Sequence, residues 1–584
     1  MKNPYLSLIQ TVWHYGKSWR PSLVALYIVY IFAQICMSLN PYLFGRTIDV
    51  IQHFSPGRLH EVVFWLALGV AFYVLFWCFH GPARIRERFI ALKIQQKYRI
   101  EMYEKLTQLP LKWHQDHHSG NIVTRLNRSS TALFRFAGDQ FIYIERIVQF
   151  IVSLGFLLWI SVPVGLMSLI TCVLSIVTIL MFDKRLIPLY HSENEIDNHI
   201  GANFFDYINN MTTVLTLRLG ELTKTNLYQR ILSVWPIYRK EVIINEVKWF
   251  TMGTMLTALQ SLILIGYIVY TLHNSASLMI GSIVMIYRYQ ASLSEVFYVL
   301  SQHYGELVQM DTDIKGMQPI LDDLNRLAHK PISESLAKQW HRIDIENLEF
   351  HHAGRENLHN TIDDIDFSIK RGEKIALIGL SGGGKSTLLN LLLGLYTPSQ
   401  VVLTLDGVKF DTLEPLQSIT TLIPQDPELF ENTIEFNITM DVDCPQAEID
   451  QAIFLARFDT VLKTLPLGLK TDIREKGLNL SVGQKQRLAL ARGLFAARYS
   501  SLILMDEPTS SVDLPTEKEI LQGTIKAYPN AAMIVSLHRL HLLPQFDRII
   551  MMEHGKIIAD GETKTLLQSP GKVRDLWLSS IEGD

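Results

Sequence analysis

Cysteine is scarce in this chain of 584 residues, which has four copies, and no two of them are close in sequence. Isolated cysteines build no disulfide framework and supply no paired thiolates for a structural zinc site. They stand at Cys36, Cys78, Cys172 and Cys444. The sequence therefore excludes the disulfide-rich secreted domains and the metal domains that depend on cysteine.

Charge is absent from four long segments, although charged residues make up 19% of the whole chain. Segments 22–44 and 62–83 are each long enough for one helix across a hydrocarbon core of about 30 Å. Segments 147–182 and 249–287 each exceed one such helix and contain a turn. Buried helices of a soluble bundle rarely repeat uncharged runs of this length. We therefore predict six membrane spans, at about 22–44, 62–83, 138–160, 163–182, 249–272 and 278–300.

Lys and Arg are few in the connection 45–61, which has two, and plentiful in two other connections. Connection 84–135 carries eleven and connection 183–248 carries eight. Because cytoplasmic loops of membrane proteins carry an excess of Lys and Arg, we expect both of these loops and the N-terminus in the cytoplasm. An even number of spans places the C-terminal half there too. We expect a multi-pass protein of a bacterial cytoplasmic membrane.

The C-terminal half has a different pattern of polar and apolar residues. Short β-rich runs such as 374–378 and 501–505 alternate with helical segments, which indicates an α/β domain. We expect a transmembrane domain over 1–327, a linker over 328–340 and the α/β domain over 341–584. The predicted fold class is thus an α-helical transmembrane domain joined to an α/β domain.

A Gly-rich loop, GLSGGGKST at 379–387, stands between a predicted strand and a predicted helix. Glycines allow backbone N–H groups to converge on phosphate oxygens, and the helix N-terminus adds its partial positive charge. Lys385 can reach terminal phosphates and Ser386 can ligate Mg²⁺. The loop and its neighbours predict a P-loop, and a Gly-rich turn without a ligand is the weaker alternative.

Two adjacent carboxylates, Asp506 and Glu507, follow another apolar strand. Nucleotide hydrolysis with Mg²⁺ needs one carboxylate near the metal and a second to orient or deprotonate the attacking water. Alone, such a pair is more often a solvated turn, but after a P-loop in the same domain it is better interpreted as catalytic. His538 follows a further strand and by itself would be taken for a surface histidine.

Together these residues resemble the ATP-binding cassette (ABC) exporters, in which six membrane spans are fused to one nucleotide-binding domain. The resemblance covers nearly the full length and implies the type IV exporter fold of a half-transporter. It rests on six motifs in the family's order, namely Walker A at 379–387, the Q-loop at 423–427, the signature LSVGQ at 480–484, Walker B at 502–507, the D-loop at 510–513 and the switch His538.

The resemblance implies ATP and Mg²⁺ as ligands and an active ATPase. The catalytic residues that it implies are Lys385, Gln425, Glu507 and His538, with Glu507 as the base or the group that polarises the water. The Mg²⁺ ligands that it implies are Ser386, Gln425 and Asp506. The wider set expected to bind nucleotide is His352, Gly379, Ser381, Gly382, Gly383, Gly384, Lys385, Ser386, Thr387, Gln425, Ser481, Gly483, Gln484, Asp506 and Asp513.

Two positions depart from the family pattern. His352 stands where an aromatic residue usually stacks on adenine, and its smaller ring is expected to bind the base more weakly. Val482 stands where the signature usually has Gly, but Ser481 and Gly483 are retained, so we expect Val482 to be tolerated. The resemblance also implies a dimer in which the signature of one subunit closes over the nucleotide held by the other. A homodimer is favoured, and a heterodimer stays open.

Two pairs of charged residues in the predicted spans are candidates for a functional role, Glu145 with Arg146 and Arg288 with Glu295. They either contact a substrate or pair between helices. We expect ATP-driven export or flipping of a substrate that the sequence does not identify, the alternatives being half of a heterodimeric exporter and a channel or regulator. The spans argue against a cassette ATPase that acts on nucleic acid. The expected partners are a second subunit, membrane lipids and the transported substrate, with no nucleic acid.

Overall fold

A computed structural model of the chain describes residues 4–53, 55–117, 119–273, 279–327, 340–351, 362–426, 428–474 and 479–582. The chain divides into two compact units. The first comprises Met1–Leu109 and His114–Ala328, and the second comprises Pro110–Trp113 and His329–Asp584. Except for Trp340, the predicted linker 328–340 lies outside the described residues.

The residues before 328 form thirteen α-helices in the described part of the chain, and four of these helices exceed 35 residues. They are α1 (Pro4–Tyr15), α2 (Arg20–Ser38), α3 (Asn40–Gln52), α4 (Leu59–Thr107), α5 (Leu111–Asp116), α6 (Ser119–Gly138), α7 (Gln140–Ile160), α8 (Val162–Asn209), α9 (Met211–Thr216), α10 (Gly220–Leu232), α11 (Trp235–His273), α12 (Ile280–Lys315) and α13 (Gln318–Leu327).

Five runs of helix in the described chain are long and apolar enough to cross a membrane. They are Lys17–Gln52, Leu59–Thr107, Ser119–Ile160, Val162–Asn209 and Gly220–His273. The sixth predicted span coincides with α12, whose apolar sequence is interrupted by Arg288 and Glu295, and it stays a prediction. Helix α4 has 49 residues, which at ~1.5 Å per residue is roughly twice the thickness of a bilayer core, so it extends well beyond the membrane.

The first predicted span is divided between α2 and α3. The division falls at Leu39, and Pro41 lies at the start of α3. Proline lacks an N–H and fits the first turn of a helix, where no intrahelical acceptor is needed. The local sequence Asn40-Pro41 therefore accounts for a new helix beginning at this point.

Helices α3 and α12 approach each other closely at Gly281. A Cβ built on this residue would lie 2.1 Å from the carbonyl oxygen of Gly45, so no larger side chain fits. Two side chains of α3 accept hydrogen bonds from the first backbone N–H groups of α12: Asp49 Oδ1 from Gly281 and Gln52 Oε1 from Ile280, both at 2.9 Å. Helix α12 thus has its N-terminal donors capped by a neighbouring helix rather than by its own sequence.

The second unit alternates strands and helices. Its strands are β1 (Arg342–Phe350), β2 (Ile362–Lys370), β3 (Lys374–Ile378), β4 (Gln400–Leu405), β5 (Val408–Phe410), β6 (Thr420–Ile423), β7 (Leu502–Asp506), β8 (Ala532–Ser536), β9 (Arg548–Glu553) and β10 (Lys556–Glu562). Its α-helices are α14 (Lys385–Leu392), α15 (Glu414–Gln417), α16 (Ile434–Thr439), α17 (Gln446–Leu455), α18 (Asp459–Leu462), α19 (Val482–Ala496), α20 (Leu514–Ala527), α21 (Thr563–Gln568) and α22 (Lys572–Glu582).

These strands form two sheets. An antiparallel sheet has the order β2-β1-β4-β5, and a second sheet has the order β10-β9-β3-β8-β7-β6. In the second sheet β9, β3, β8, β7 and β6 run parallel, and β10 is an antiparallel edge strand.

Both faces of the parallel sheet are covered. Along β7, Ile503 and Met505 join one hydrophobic core with α17 and α19, whereas Leu502 and Leu504 join another with the antiparallel sheet and α14. A strand that is covered on both faces needs a continuous apolar run, and this explains why β3, β7 and β8 show no alternation of polar and apolar residues. The sheet lies at the centre of the domain and holds its strand ends in fixed positions.

Candidate nucleotide-binding and hydrolysis site

Four parallel strands end at one edge of the central sheet. Strands β3, β8, β7 and β6 are neighbours in that order. Leu377 pairs with Ser536, Ser536 with Asp506, and Met505 with Ile423, so the four carboxyl ends are level. Crevices at the carboxyl ends of parallel strands are the usual ligand sites of such sheets.

The segments after these strands contain the predicted catalytic residues. The Gly-rich loop follows β3, His538 follows β8, Asp506 and Glu507 stand at the end of β7, and Gln425 follows β6. From the Gly-rich loop to His538 these residues span more than 150 positions of the sequence, and the sheet order makes their strands neighbours. The structure therefore gathers four separate sequence motifs at one edge.

The loop after β3 has a shape that only glycine allows. Gly379 has φ +146°, and a Cβ there would lie 2.1 Å from the carbonyl oxygen of Met552 on β9. Gly382 and Gly384 also have positive φ, and Gly383 is buried. The loop lies close against β9 and leads directly into the N-terminus of α14, where backbone N–H groups and the helix dipole favour an anion.

Lys385 is the first residue of α14 and is 7% exposed. Its Nζ donates to the carbonyl oxygen of Gly379 at 2.8 Å and contacts that of Leu380 at 3.3 Å, so the side chain folds back over the loop. Burial lowers the pKa of the Lys385 ammonium, and the nearby charges of Glu507 and Asp506 oppose that shift. The ammonium is therefore held at the loop where phosphate oxygens would lie, while exposed Ser386 and half-buried Thr387 continue the helix.

Gln425 and Glu507 are joined by a direct hydrogen bond, in which Gln425 Nε2 donates to Glu507 Oε2 at 2.9 Å. Glu507 has φ +44°, a conformation uncommon for a residue with a side chain, and strain of this kind is frequent at functional sites. The sequence predicted roles for both residues but not their contact.

Asp506 is 8% exposed, and its Oδ1 is buried with no hydrogen-bond partner among the described residues. A buried carboxylate oxygen without a donor is costly unless a cation or water meets it. Carboxylate, hydroxyl and amide oxygens are the ligand types that Mg²⁺ prefers. Asp506, Ser386 and Gln425 therefore form a set that fits a nucleotide-bound Mg²⁺.

His538 is exposed beyond the end of β8. The residue after it, Arg539, has a structural role that the sequence did not reveal. Its Nη1 donates to the Val512 carbonyl oxygen at 2.7 Å and to Glu517 Oε2 at 2.9 Å. The other oxygen of Glu517 accepts from Thr509 Oγ1 at 2.7 Å. This network connects the segment after β8 to the D-loop. In the sequence, its only indication was a charged residue directly after His538.

The signature stands at the N-terminus of α19. Ser481 caps this helix: its Oγ accepts from Gln484 N at 3.3 Å, and Gln484 Oε1 accepts from Ser481 N at 2.9 Å. An accepting hydroxyl keeps its own proton free to donate, so the cap leaves Ser481 able to contact a phosphate. Val482 is 65% exposed, which agrees with a tolerated substitution. Asp513 caps α20 by accepting from Thr516 N at 3.1 Å, and this bond lowers the pKa of the Asp513 carboxyl.

Gln486 is a residue that sequence reasoning missed. It is 5% exposed, and its amide links α19 to the segment that contains Glu507. Its Nε2 donates to Ser510 Oγ at 3.0 Å and to the Glu507 carbonyl oxygen at 3.3 Å, and its Oε1 accepts from Ser511 N at 2.8 Å. Gly483 also packs here, since a Cβ on it would lie 2.9 Å from the Ser511 carbonyl oxygen. In the sequence, the indication of this role was a polar residue among the apolar residues on one face of α19.

Ser381 and Gly382 are exposed at the tip of the loop. His352, the residue expected to stack on adenine, lies outside the described residues, so its role stays a prediction. The last residue of the expected Q-loop, Pro427, lies outside them too.

The chain has helices long enough to cross a membrane and a P-loop domain with the elements of a cassette ATPase. These two features together define a class of protein, the membrane proteins that contain a cassette ATPase domain. The family models agree. An ABC transporter transmembrane region matches residues 23–297, and an ABC transporter model matches residues 362–510. The chain belongs to the ABC transporters, with the transmembrane region and the nucleotide-binding domain of a type IV half-transporter, as the resemblance implied.

Curated relatives include ATP-binding cassette sub-family B member 6 of Homo sapiens, 27% identical over 503 residues, which are 84% of this chain and 58% of the relative. The ATM1-type heavy metal exporter of Novosphingobium aromaticivorans is 25% identical over 488 residues, 82% of this chain and 78% of the relative. The chain thus spans less than two thirds of some of the curated relatives that it matches.

Among solved structures, one described as a bacterial Atm1-family ABC exporter with ATP bound matches with a TM-score of 0.83. It is 21% identical and covers 96% of this chain and 99% of its own. At this identity the match shows the fold, and it confirms a helical transmembrane domain joined to an α/β nucleotide-binding domain.

Proposed function

We propose that the chain is the subunit of a dimeric ATP-driven exporter, in which ATP hydrolysis moves a substrate across a membrane. The observation that carries this proposal is the level edge of β3, β8, β7 and β6, where the Gly-rich loop, His538, Glu507 and Gln425 meet. None of the positions on which hydrolysis depends is replaced. Channel or regulator function is the less favoured alternative for the same reason.

Each residue at this edge has a distinct part in the proposed hydrolysis. The loop N–H groups and Lys385 hold the phosphates, and Glu507 orients a water molecule or takes its proton. Gln425 positions the Glu507 carboxylate through their hydrogen bond. His538 donates toward the terminal phosphate, where negative charge develops. Ser386, Gln425 and Asp506 would hold Mg²⁺, which would supply charge neutralisation at the phosphates.

We propose further that two chains assemble head to tail. One chain contains one P-loop and one signature, so a complete site made of both requires two chains in this arrangement. The free hydroxyl proton of Ser481 and the N-terminus of α19 would then face the terminal phosphate of a nucleotide held by the second chain. Nucleotide drives the conformational cycle only if it binds the closed dimer more tightly than the open one.

Mixed dimers test this arrangement. In a Glu507→Gln background, which is expected to retain ATP, chains with Lys385→Ala and chains with Ser481→Arg carry different tags and are purified together. If the sites form between chains, the mixed dimer has one intact site and retains ATP through gel filtration, whereas each pure variant retains none. Loss of ATP retention in the mixed dimer would contradict the head-to-tail arrangement. ATP turnover by the wild-type chain, purified alone and reconstituted in vesicles, tests the homodimer.

The membrane is proposed to be a bacterial cytoplasmic membrane, with the nucleotide-binding domain in the cytoplasm. One relative is named as a heavy metal exporter. The described residues of this chain contain no group of three or more His, Cys, Asp or Glu arranged to hold a metal ion. We therefore propose an organic cargo rather than a bare metal ion. Screening organic cargoes for stimulation of ATP turnover, with Glu507→Gln as the control, tests this.

A further inference from the structure

A cavity of about 570 Å³ lies among helices α2, α3, α4, α7 and α12 of the transmembrane unit. Its volume falls within the range of about 300–1,000 Å³ that is usual for small-molecule sites. Four charged residues of the predicted spans line it, namely Glu145, Arg146, Arg288 and Glu295. Charges at membrane depth are costly and usually serve a path or a partner, so their partners in the structure decide their role.

Three of the four charges are satisfied by neighbouring helices. Glu145 is 5% exposed, and its Oε1 lies 2.7 Å from His80 Nδ1 of α4. Arg146 Nη1 donates to Glu295 Oε1 at 3.0 Å, which joins α7 to α12. The second oxygen of Glu295 accepts from Gln149 Nε2 at 3.0 Å. These residues therefore act as interhelical pairs, one of the two roles expected from the sequence.

Arg288 differs from the other three. It is exposed, its guanidinium lies over the ring of Phe44 at 5.4 Å from the centroid, and it forms no ion pair with any carboxylate of the described chain. A second donor in the cavity wall, Arg146 Nε, is buried without a hydrogen-bond partner in the described chain. Arg288 thus borders the cavity with donors that lack an acceptor in the described chain, whereas the lining carboxylates Glu145 and Glu295 are already engaged.

The remaining wall suits a ligand with an apolar part. Phe44 and Phe76 border the cavity, together with the neutral polar side chains of Gln34, Asn40 and Ser153. A cation that stacks on an aromatic ring keeps one face and its edges available for a carboxylate. The cavity therefore combines an anion-binding group, an aromatic surface and neutral hydrogen-bonding groups.

We propose that this cavity binds an amphipathic organic carboxylate, with the carboxylate on Arg288 and the apolar part against Phe44 and Phe76. The proposal names a substrate class for the exporter, and it rests on the proposed export function because the ligand is a substrate only if the chain is an exporter. The pairs Glu145–His80 and Arg146–Glu295 keep the cavity in shape, and Arg288 selects the charge of the ligand.

A matched pair of fluorescent probes tests the proposal. Dansylglycine has a free carboxylate, and dansylglycinamide has the same aromatic part without the charge. Binding to the purified full-length protein is measured by the change in dansyl emission. The carboxylate should bind on the order of tenfold more tightly than the amide, a difference of about 1.4 kcal/mol, since only the acid forms a hydrogen bond between two charged groups. Arg288→Gln should abolish this preference, and Arg288→Lys, which keeps the charge, should retain part of it.

Arg46→Gln is the matched control, because Arg46 also lies over an aromatic ring, that of Trp65 at 5.8 Å, but does not line the cavity. It should keep both the preference for the carboxylate and the basal ATP turnover. Thermal unfolding checks that Arg288→Gln is folded. The proposal is overturned if neither probe binds, if the amide binds as well as the acid, or if Arg46→Gln loses the preference too. ATP turnover of the wild-type protein is measured separately, and its absence would count against the exporter function instead.

Discussion

Gln425 Nε2 donates a hydrogen bond to Glu507 Oε2 across 2.9 Å, and this contact joins the end of β6 to the end of β7. The two residues are 82 positions apart in sequence. Because the amide donates to the carboxylate, it fixes the direction in which the second carboxylate oxygen faces the site. We therefore predict that water activation by Glu507 depends on Gln425, a residue that is not itself the base.

Replacing Glu507 by Gln should reduce ATP turnover by about 10²–10⁴-fold, because a carboxamide cannot take a proton and general base catalysis contributes roughly that factor. ATP affinity should stay close to that of the wild type. Phosphate release and fluorescent-nucleotide binding measure the two effects. Glu519→Gln is a suitable control, since Glu519 is a surface residue paired with Arg457. An equal loss of affinity and turnover would show that Glu507 acts in binding rather than in the chemical step.

Replacing Gln486 by Leu should lower the turnover number by about tenfold, with little change in ATP affinity. Leu fills similar space but leaves the Ser511 N–H without its acceptor, and an unsatisfied buried group costs about 1–3 kcal/mol. The backbone carbonyl of Glu507 also loses a donor. Single-turnover kinetics measures the effect. Gln446→Leu changes an exposed glutamine outside the site and should leave the turnover number unchanged. A similar loss of turnover in Gln446→Leu would contradict the role of Gln486 as a positioning residue.

ATP affinity should fall as pH rises toward the alkaline range, because burial lowers the pKa of Lys385 below the ordinary 10.5. The direction of the pH dependence follows from the charges. The phosphates of ATP stabilise the Lys385 ammonium, so at a pH above the lowered pKa of Lys385 the binding of ATP must include uptake of a proton. The decline should therefore begin at the lowered pKa of Lys385 in the free protein and end at its higher pKa in the ATP complex. Fluorescent-nucleotide titrations across pH measure it. Lys385→Arg, which stays charged, should show a flat profile, and a decline of the same size in that variant would exclude Lys385 as the cause.

Replacing Gly281 by Ala should destabilise the transmembrane domain, by about 1–3 kcal/mol if neighbouring atoms shift to relieve the overlap. The added Cβ would lie 2.1 Å from the Gly45 carbonyl oxygen and 2.3 Å from Asp49 Oδ1, and would disturb the cap on α12. A lower unfolding temperature of the detergent-purified protein is the measurement. Gly266→Ala, in α11, meets nothing within 4 Å and should be neutral or slightly stabilising. Equal unfolding temperatures of the two variants would refute the close approach.

Much of the architecture was accessible from local sequence. Uncharged segments of membrane length, apolar strands without alternation and a Gly-rich loop before a helix each depend on neighbouring residues, and the resemblance placed six motifs in order. The fold class and the family were predicted correctly. The roles of the individual site residues stay predictions.

Contacts between distant residues were beyond the sequence. The role of Gln486 depends on how α19 packs beside Ser510 and Ser511, and the role of Arg539 depends on where Val512 lies. The charged residues of the predicted spans are the clearest case. In the sequence, Glu145 with Arg146 and Arg288 with Glu295 each comprise one charge of each sign and indicate no preference. Packing of α7 against α12 engages Arg146 with Glu295 and leaves Arg288 without an ion pair in the described chain.

The sequence by itself determined which groups this protein has: membrane-length apolar helices, a phosphate-binding loop, two carboxylates after a strand and a signature at a helix start. These follow from short-range chemistry, because propensity, hydrophobicity and backbone freedom are properties of adjacent residues. Only the tertiary structure decided which of these groups meet, since the order β3-β8-β7-β6 differs from the order along the chain. The Gln425–Glu507 contact follows from that strand order, and the separate packing of α7 against α12 leaves Arg288 without an ion pair in the described chain.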